Sequence, residues 1–321
     1  MLLGARASLP AIFQFSRNPG SREELMQDIS QLRGCGTAIV TPFKEDQSID
    51  EEALRQFVEF QITEGIDFLV PCGTTGESVT LSYQEQRRVV EIVKDAARGR
   101  VPVIAGAGGN NTAHVIETAR EYEKVGVDGL LSVTPYYNKP TQEGLFQHFR
   151  AIAESTRLPI IVYSVQSRTA VNILPDTLVR LSEIPNIIGV KEASGDISQI
   201  AEIATRVPAD FKILSGDDSV TLPVIALGGV GLISVASNEA PRLLTEMTRA
   251  ALENRWDEAR RLNKELMPLM KVNFIETSPG PVKAALAMMG KIKEVYRLPL
   301  VPVKDETKDR VRKVLVDLKL I

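Results

Sequence analysis

Residues 101–133 read VPVIAGAGGNNTAHVIETAREYEKVGVDGLLSV, and the order of signals within them decides the fold class. An apolar run, Val101–Ala105, precedes a glycine-rich stretch. Asn111-Thr112 then stands where a helix is capped, before Val115, and Gly126 stands where that helix stops. A second apolar run, Gly129–Val133, comes at once after it. Strand, helix and strand joined by such short links form the unit that builds a parallel sheet.

The same alternation runs along the chain from Gly36 onward. Strands are predicted at Thr37–Val40, Phe68–Val70, Val101–Ala105, Gly129–Val133, Ile160–Tyr163, Ile187–Lys191, Lys212–Leu214 and Gly231–Val235. Between them, helix starts are signalled by Ile49-Asp50 before Glu51-Glu52, by Ser82 before Glu85 and by Pro175, and helix ends by Gly65 and Gly99. Eight right-handed strand-helix units close into a (β/α)8 TIM barrel, because parallel strands need both faces covered and a closed sheet has no edge. An open doubly wound sheet is the alternative.

After Val235 the strand signals stop. Pro241–Asn254, Trp256–Met270 and Pro281–Met289 read as helices, a C-terminal appendage assigned to subunit contacts. The chain thus divides into an N-terminal extension over residues 1–30, a catalytic barrel over 31–238 and a C-terminal helical region over 239–321. Residues 1–22 carry Arg6, Arg17 and Arg22 and no acid. The first 25 residues read as an unordered tail or an upstream start in place of Met26, with a plastid transit segment as the alternative.

Composition excludes several function classes. Of 321 residues, 44% are hydrophobic and 25% charged, enough apolar side chain for a large core, so disorder is not the main state. A net charge of −3 without a basic block gives no footprint for nucleic acid or an anionic membrane, which favours a small-molecule partner. No apolar run reaches the roughly 18 residues of a membrane span. Cys35 and Cys72, with only His114 and His148 beside them, build neither a disulfide framework nor a zinc cluster. No metal site is expected, and a reducing cytoplasm fits.

In such a barrel the chemistry sits where strands end. Lys191 ends a run, Ile187-Ile188-Gly189-Val190, that is apolar on both faces and hence expected to be buried. Burial lowers a lysine's pKa and raises its neutral amine fraction, as Schiff-base chemistry with a carbonyl requires. The bland alternative is a lysine that reaches solvent or pairs with Glu192. Tyr163 ends the preceding strand and should project beside Lys191, where a phenol can pass protons with Thr75 or Tyr137 in a relay; Tyr136 and Tyr137 read equally well as surface or interface aromatics.

Arg168, in the next loop, suits bidentate binding of a carboxylate, although a solvated loop arginine would look the same. The loop Gly73-Thr74-Thr75-Gly76 offers amides and hydroxyls to an anionic head. Gly106-Ala107-Gly108-Gly109-Asn110-Asn111 lacks the third glycine or alanine of a dinucleotide fingerprint, so no nucleotide cofactor is indicated. Asp217-Asp218 reads as a helix N-cap rather than as metal ligands.

Taken together, Gly73-Thr74-Thr75-Gly76-Glu77-Ser78, Thr134-Pro135-Tyr136-Tyr137-Asn138, Tyr163 with Arg168-Thr169, Ile188-Gly189-Val190-Lys191-Glu192-Ala193 and Ser215-Gly216-Asp217-Asp218 resemble the dihydrodipicolinate synthase family, in order and spacing, over nearly everything after Arg33. The resemblance implies that pyruvate condenses with Lys191 and that the resulting enamine attacks aspartate-4-semialdehyde. It implies Tyr163 as proton donor and acceptor, Thr74 and Tyr137 as the rest of the relay, and Thr75 with the backbone of Ile233, and Gly216, as substrate-binding positions. Arg168 would take the semialdehyde carboxylate. No cofactor beyond the covalent Schiff base is implied. A homotetramer is, with Tyr137 crossing into a neighbouring subunit's site.

Two departures qualify the match. Where the family reads Tyr-Asn-x-Pro-x-Arg-Thr-Gly, this chain has Tyr163-Ser164-Val165-Gln166-Ser167-Arg168-Thr169-Ala170, which frees the Arg168 loop and strains Ala170 if its φ is positive. Positions lining the lysine feedback pocket of inhibited relatives hold Tyr83, Gln86 and His114, the last replacing a glutamate, so weak lysine inhibition is expected. The competing readings are a sister Schiff-base enzyme, such as N-acetylneuraminate lyase or a keto-deoxy sugar acid aldolase, and a silent pyruvate-binding sensor. Tyr136-Tyr137-Asn138 and Arg168 favour the synthase, and a sensor need not keep a proton relay.

Overall fold

The computed structural model describes residues 32–321; the expected extension over residues 1–30, with the alternative start at Met26, lies outside the described residues. Eight parallel strands are present: β1 (Gly34–Ala38), β2 (Phe68–Val70), β3 (Ile104–Gly106), β4 (Gly129–Val133), β5 (Ile160–Ser164), β6 (Ile187–Glu192), β7 (Lys212–Ser215) and β8 (Gly231–Ser234). Their order, β2-β1-β8-β7-β6-β5-β4-β3, is circular. The gap between β2 and β3 is closed by a parallel bridge from Leu69 to Val103, with the Leu69 N–H donating to the Pro102 carbonyl at 2.9 Å. The sheet is therefore a (β/α)8 barrel, and the open-sheet alternative is overturned.

A helix follows each strand: α1 (Glu51–Thr63), α2 (Tyr83–Ala97), α3 (Thr112–Val125), α4 (Gln142–Ser155), α5 (Pro175–Ser182), α6 (Ile197–Arg206), α7 (Thr221–Ala226) and α8 (Pro241–Leu252). The capping signals act as read. Asp50 accepts from the Ala53 N–H, Asn111 from Ala113, and Ser82 with Glu85 forms a reciprocal capping box. Pro175 opens α5, and Gly126 ends α3 in the left-handed conformation. Beyond α8 come α9 (Trp256–Val272), α10 (Gly280–Met288) and α11 (Asp305–Asp317).

Some boundaries differ from expectation. β1 begins three residues earlier and ends at Ala38, because Gly34 pairs with Gly231, while Val40, though fully buried, donates to the Asn238 side chain rather than to a ladder. Apolarity outlasts pairing there. β3 starts at Ile104, not Val101, since Pro102 has no N–H to give and Val103 makes only the isolated bridge. α11 has no counterpart among the expected helices: it is polar on most of its surface, and only Thr307, Val311 and Leu315 are buried.

The apolar residues form two cores. One, between strands and helices, includes Val162 and Val190; the other fills the barrel with Phe68, Ile104, Leu131, Ile161, Ile188, Leu214 and Ile233. β6 contains the device that directs chemistry inward. Ile160 pairs with Ile187 but Ile161 pairs with Gly189, so Ile188 is an extra residue. Below this bulge Ile187 faces the outer core; above it Val190 does, and Lys191 turns inward opposite Tyr163. Without the bulge, strict alternation from Ile187 would put Lys191 on the outer face. A Cβ on Gly189 would lie 2.5 Å from the Lys212 carbonyl oxygen, so glycine is what fits the bulge against β7.

Candidate active site

Inward direction and burial meet at the carboxyl end of the barrel. A cavity of about 190 Å³ is lined there by Thr74, Thr75, Tyr163, Arg168, Lys191 and Gly216, together with Asp217, Phe274 and Ser278. Lys191 is 5% exposed, and its Nζ lies 4.3 Å from the centre of the Tyr163 ring. Burial, with a smaller contribution from the Arg168 guanidinium and partial opposition from the Asp218 carboxylate, pulls its pKa down to about 8. At pH 7 roughly one such amine in ten is neutral, against about one in three thousand for an ordinary lysine.

The other groups surround this amine. Burial, opposed by Arg168 and assisted by Asp217, pushes the Tyr163 phenol up to about 12, so near neutrality it holds its proton. Gly216 packs against the lysine stem: a Cβ there would lie 3.2 Å from Lys191 Cε and 2.7 Å from Ala193 Cβ. Thr75 is buried and Thr74 exposed, both on the loop after β2. Arg168 donates to the Ser278 carbonyl at 3.4 Å. The backbone of Ile233 lies in β8, its side chain in the barrel core.

Tyr137 stands apart. It is 90% exposed, adopts φ 72°, and does not line the cavity of its own chain. Among the described residues, no hydrogen bond joins Thr74, Tyr137 and Tyr163. Cys72, Glu77, Lys139 and Ala170 share the left-handed region with Tyr137, at φ 55°, 53°, 43° and 56°, so these five non-glycine residues hold a backbone that costs of order 1 kcal/mol each. For Ala170 this is the strain expected from the lost glycine. The lost proline matters less: Gln166 opens a one-turn helix, Gln166–Thr169, the place where a proline is tolerated because no N–H is needed.

Several site residues escape sequence reading. Phe274 and Ser278 reach the cavity from the region assigned to subunit contacts, and no local pattern marks them. Asp218 is not a helix cap. Asp217 is, accepting from the Ser219 N–H at 2.8 Å, whereas buried Asp218 accepts the Val235 and Ala236 N–H groups at 3.1 and 3.2 Å. The glycines at the end of β3 and just beyond it serve packing: a Cβ on Gly106 would meet the Cys72 carbonyl at 2.1 Å, and one on Gly108 the Val133 nitrogen at 2.6 Å. Among the described residues no group of three or more His, Cys, Asp or Glu is gathered as for a metal, and no helix is long and apolar enough to cross a membrane.

A second buried lysine shows by contrast what is unusual about the first. Lys283 of α10 is 0% exposed, but it is ion-paired with Glu77, donates to the Thr41 carbonyl at 3.3 Å, and sits 4.4 Å from the centre of the Phe43 ring. Its charge is matched; that of Lys191 is opposed only in part.

Similarity to known proteins agrees with this geometry. The pattern of the Dihydrodipicolinate synthetase family matches residues 31–318. A protein named 4-hydroxy-tetrahydrodipicolinate synthase from Koribacter versatilis is 55% identical over 288 residues, 89% of this chain and 96% of that one. The crystal structure of dihydrodipicolinate synthase from Aquifex aeolicus superposes with a TM-score of 0.88 at 46% identity, covering 90% of this chain and 99% of that one. The enzyme of that name from Acinetobacter baumannii, complexed with pyruvate, superposes with a TM-score of 0.89 at 41% identity, covering 90% and 100%.

Proposed function

The chain belongs to the dihydrodipicolinate synthetase family, and from that premise we propose that it condenses pyruvate with L-aspartate-4-semialdehyde to give 4-hydroxy-tetrahydrodipicolinate. The observation that carries the reading is the buried, incompletely compensated amine of Lys191 at the mouth of the barrel, 4.3 Å from the Tyr163 ring. In its neutral form Lys191 attacks the pyruvate keto carbon; loss of water gives the imine, and loss of a methyl proton gives the enamine. The enamine attacks the aldehyde carbon of the second substrate. The substrate's own amine then attacks the imine carbon, closing the ring and releasing Lys191.

Tyr163, protonated at rest, gives and recovers the protons of these steps. Thr75 and the backbone of Ile233 hold the pyruvate carboxylate, with Gly216 leaving room beside the lysine stem, and Arg168 takes the semialdehyde carboxylate as a guanidinium fork. Thr74 and Tyr137 complete the proton relay. Because Tyr137 turns away from its own cavity, that role requires a second subunit to receive it, in a homotetramer; we place the enzyme in the cytoplasm, in lysine and diaminopimelate biosynthesis.

Incubation with pyruvate and borohydride should leave a reduced three-carbon adduct on Lys191, located by peptide mass spectrometry. Its absence would sink the mechanism. The trapping rate should climb about tenfold per pH unit below 8 and level off above it, because only the unprotonated amine attacks. In Arg168→Ala the break should move to higher pH, since that guanidinium disfavours the charged amine. A profile already flat at pH 6 would contradict this assignment.

Lysine is expected to be a poor inhibitor. His114, in the first turn of α3, is exposed and offers no fixed carboxylate to a ligand's ammonium group. Turnover at millimolar lysine should stay close to that without it; strong inhibition there would refute the expectation.

A further inference from the structure

The loop that carries Arg168 lacks the family's proline and holds Ala170 in a left-handed backbone, yet it is closed at its neck by side chains. Ser164, the last residue of β5, faces outward, away from the cavity, and is fully buried. Its hydroxyl accepts the Ile173 N–H at 3.2 Å and donates to Asn172 Oδ1 at 3.1 Å. The chain therefore leaves the barrel at Ser164 and is gripped by the same residue when it returns. Arg168 rides on the intervening loop.

The grip extends to the strand of Lys191. Asn172 Nδ2 donates to Gln199 Oε1 at 2.7 Å, and Gln199 Nε2 reaches Glu192 Oε2 at 3.5 Å. Glu192 is 1% exposed, pairs in register with Ser164, comes directly after Lys191, and fixes the next turn by accepting the Ser194 N–H at 2.7 Å. On the other side, the Gln142 side chain donates to the Asn172 carbonyl at 2.8 Å and accepts the Leu174 N–H at 3.1 Å. Buried polar side chains in a helix-strand layer cost stability unless they are satisfied, and apolar residues would pack there more cheaply. Their presence as a connected chain calls for a role in alignment.

We propose that Asn172 and Gln199 are positioning residues for the second substrate: the chain Ser164, Asn172, Gln199, Glu192 holds the Arg168 loop in register with the end of the strand that carries Lys191. A carboxylate bound at Arg168 is thereby kept at a set distance from the enamine on Lys191. Reaction between two bound groups depends steeply on such alignment. The inference rests on the proposed roles of Lys191 and Arg168.

The test is Gln199→Met, which keeps the volume and removes both links, with the half-buried Asn172→Ala as a second variant should the first fail to fold. Each should form the pyruvate adduct on Lys191 to the wild-type extent, while KM for aspartate semialdehyde rises about tenfold, the scale of one or two lost hydrogen bonds. Arg168→Ala should cost less in the Gln199→Met background than in the wild type, because the guanidinium is already misplaced. Equal changes in KM for both substrates, or strictly additive effects of Gln199→Met and Arg168→Ala, would overturn the proposal. Failure of the wild-type protein to trap pyruvate would instead remove the underlying mechanism.

Discussion

Lys191→Met should abolish adduct formation, lower turnover by several orders of magnitude, and at the same time make the protein more stable. In the proposed mechanism Lys191 is the covalent nucleophile, and its removal leaves only binding and positioning to act on the substrates, so losses on that scale are expected. The gain in stability comes from the direction in which burial moves the amine. Its pKa falls from 10.5 in the unfolded chain to about 8 in the folded one, so the unfolded state binds the proton more tightly. The resulting penalty is absent above 10.5, grows as pH falls below that value, and is complete below about 8. At 1.36 kcal/mol for each tenfold change, the full penalty is about 3 kcal/mol, and it acts at pH 7. Methionine carries no charge and fits a similar volume. A thermal scan at pH 7 should show a higher Tm for Lys191→Met, with the difference shrinking towards pH 10; a lower Tm at every pH would mean that the lysine is held by compensation not seen in the fold.

Such a cost marks the site as one where folding and function conflict, and conflicts of this kind limit what a sequence reveals. Strand number, the parallel arrangement and most helix caps were legible because each depends on local spacing or on a single capping side chain. That Lys191 would be buried beside Tyr163 was legible from its place at the end of an apolar strand. Its inward direction was not. It depends on one extra residue at Ile188 and on a glycine pressed against Lys212, and pairing register leaves no trace in composition. Likewise, nothing near Phe274 or Ser278 announces that residues from beyond the barrel line its mouth. Asp218 carried the right residue type for a cap, but the neighbouring Asp217 took that role, and long-range backbone amides took Asp218. The Ala170 strain was legible because a left-handed position has a known preference for glycine; the Ser164 grip on the neck of the same loop was not.

The second large effect is expected at Lys283, where stability should fall and chemistry suffer indirectly. Lys283 and Glu77 are both fully buried, and Lys283 joins α10 to the turn that ends the Thr74-Thr75 loop, with the Phe43 and Tyr296 rings 4.4 and 5.3 Å from its Nζ. Lys283→Met leaves the Glu77 carboxylate without its cation, one oxygen of which already has no hydrogen-bond partner, and takes a donor from the Thr41 carbonyl. Breaking a buried pair from one side costs about 3–5 kcal/mol, which in a chain of this size is a fall of roughly 10 °C in Tm. The double variant Glu77→Gln with Lys283→Met should recover part of the loss, because no unpaired charge remains, whereas two independent packing defects would add. Since Glu77 lies just beyond the loop residues Thr74 and Thr75, the folded fraction of Lys283→Met should bind pyruvate more weakly yet still form the adduct on Lys191. A Tm within about 2 °C of the wild type would show that α10 and the loop are held by packing alone, and the ion pair would then have no part in keeping the Thr74-Thr75 side of the cavity in place.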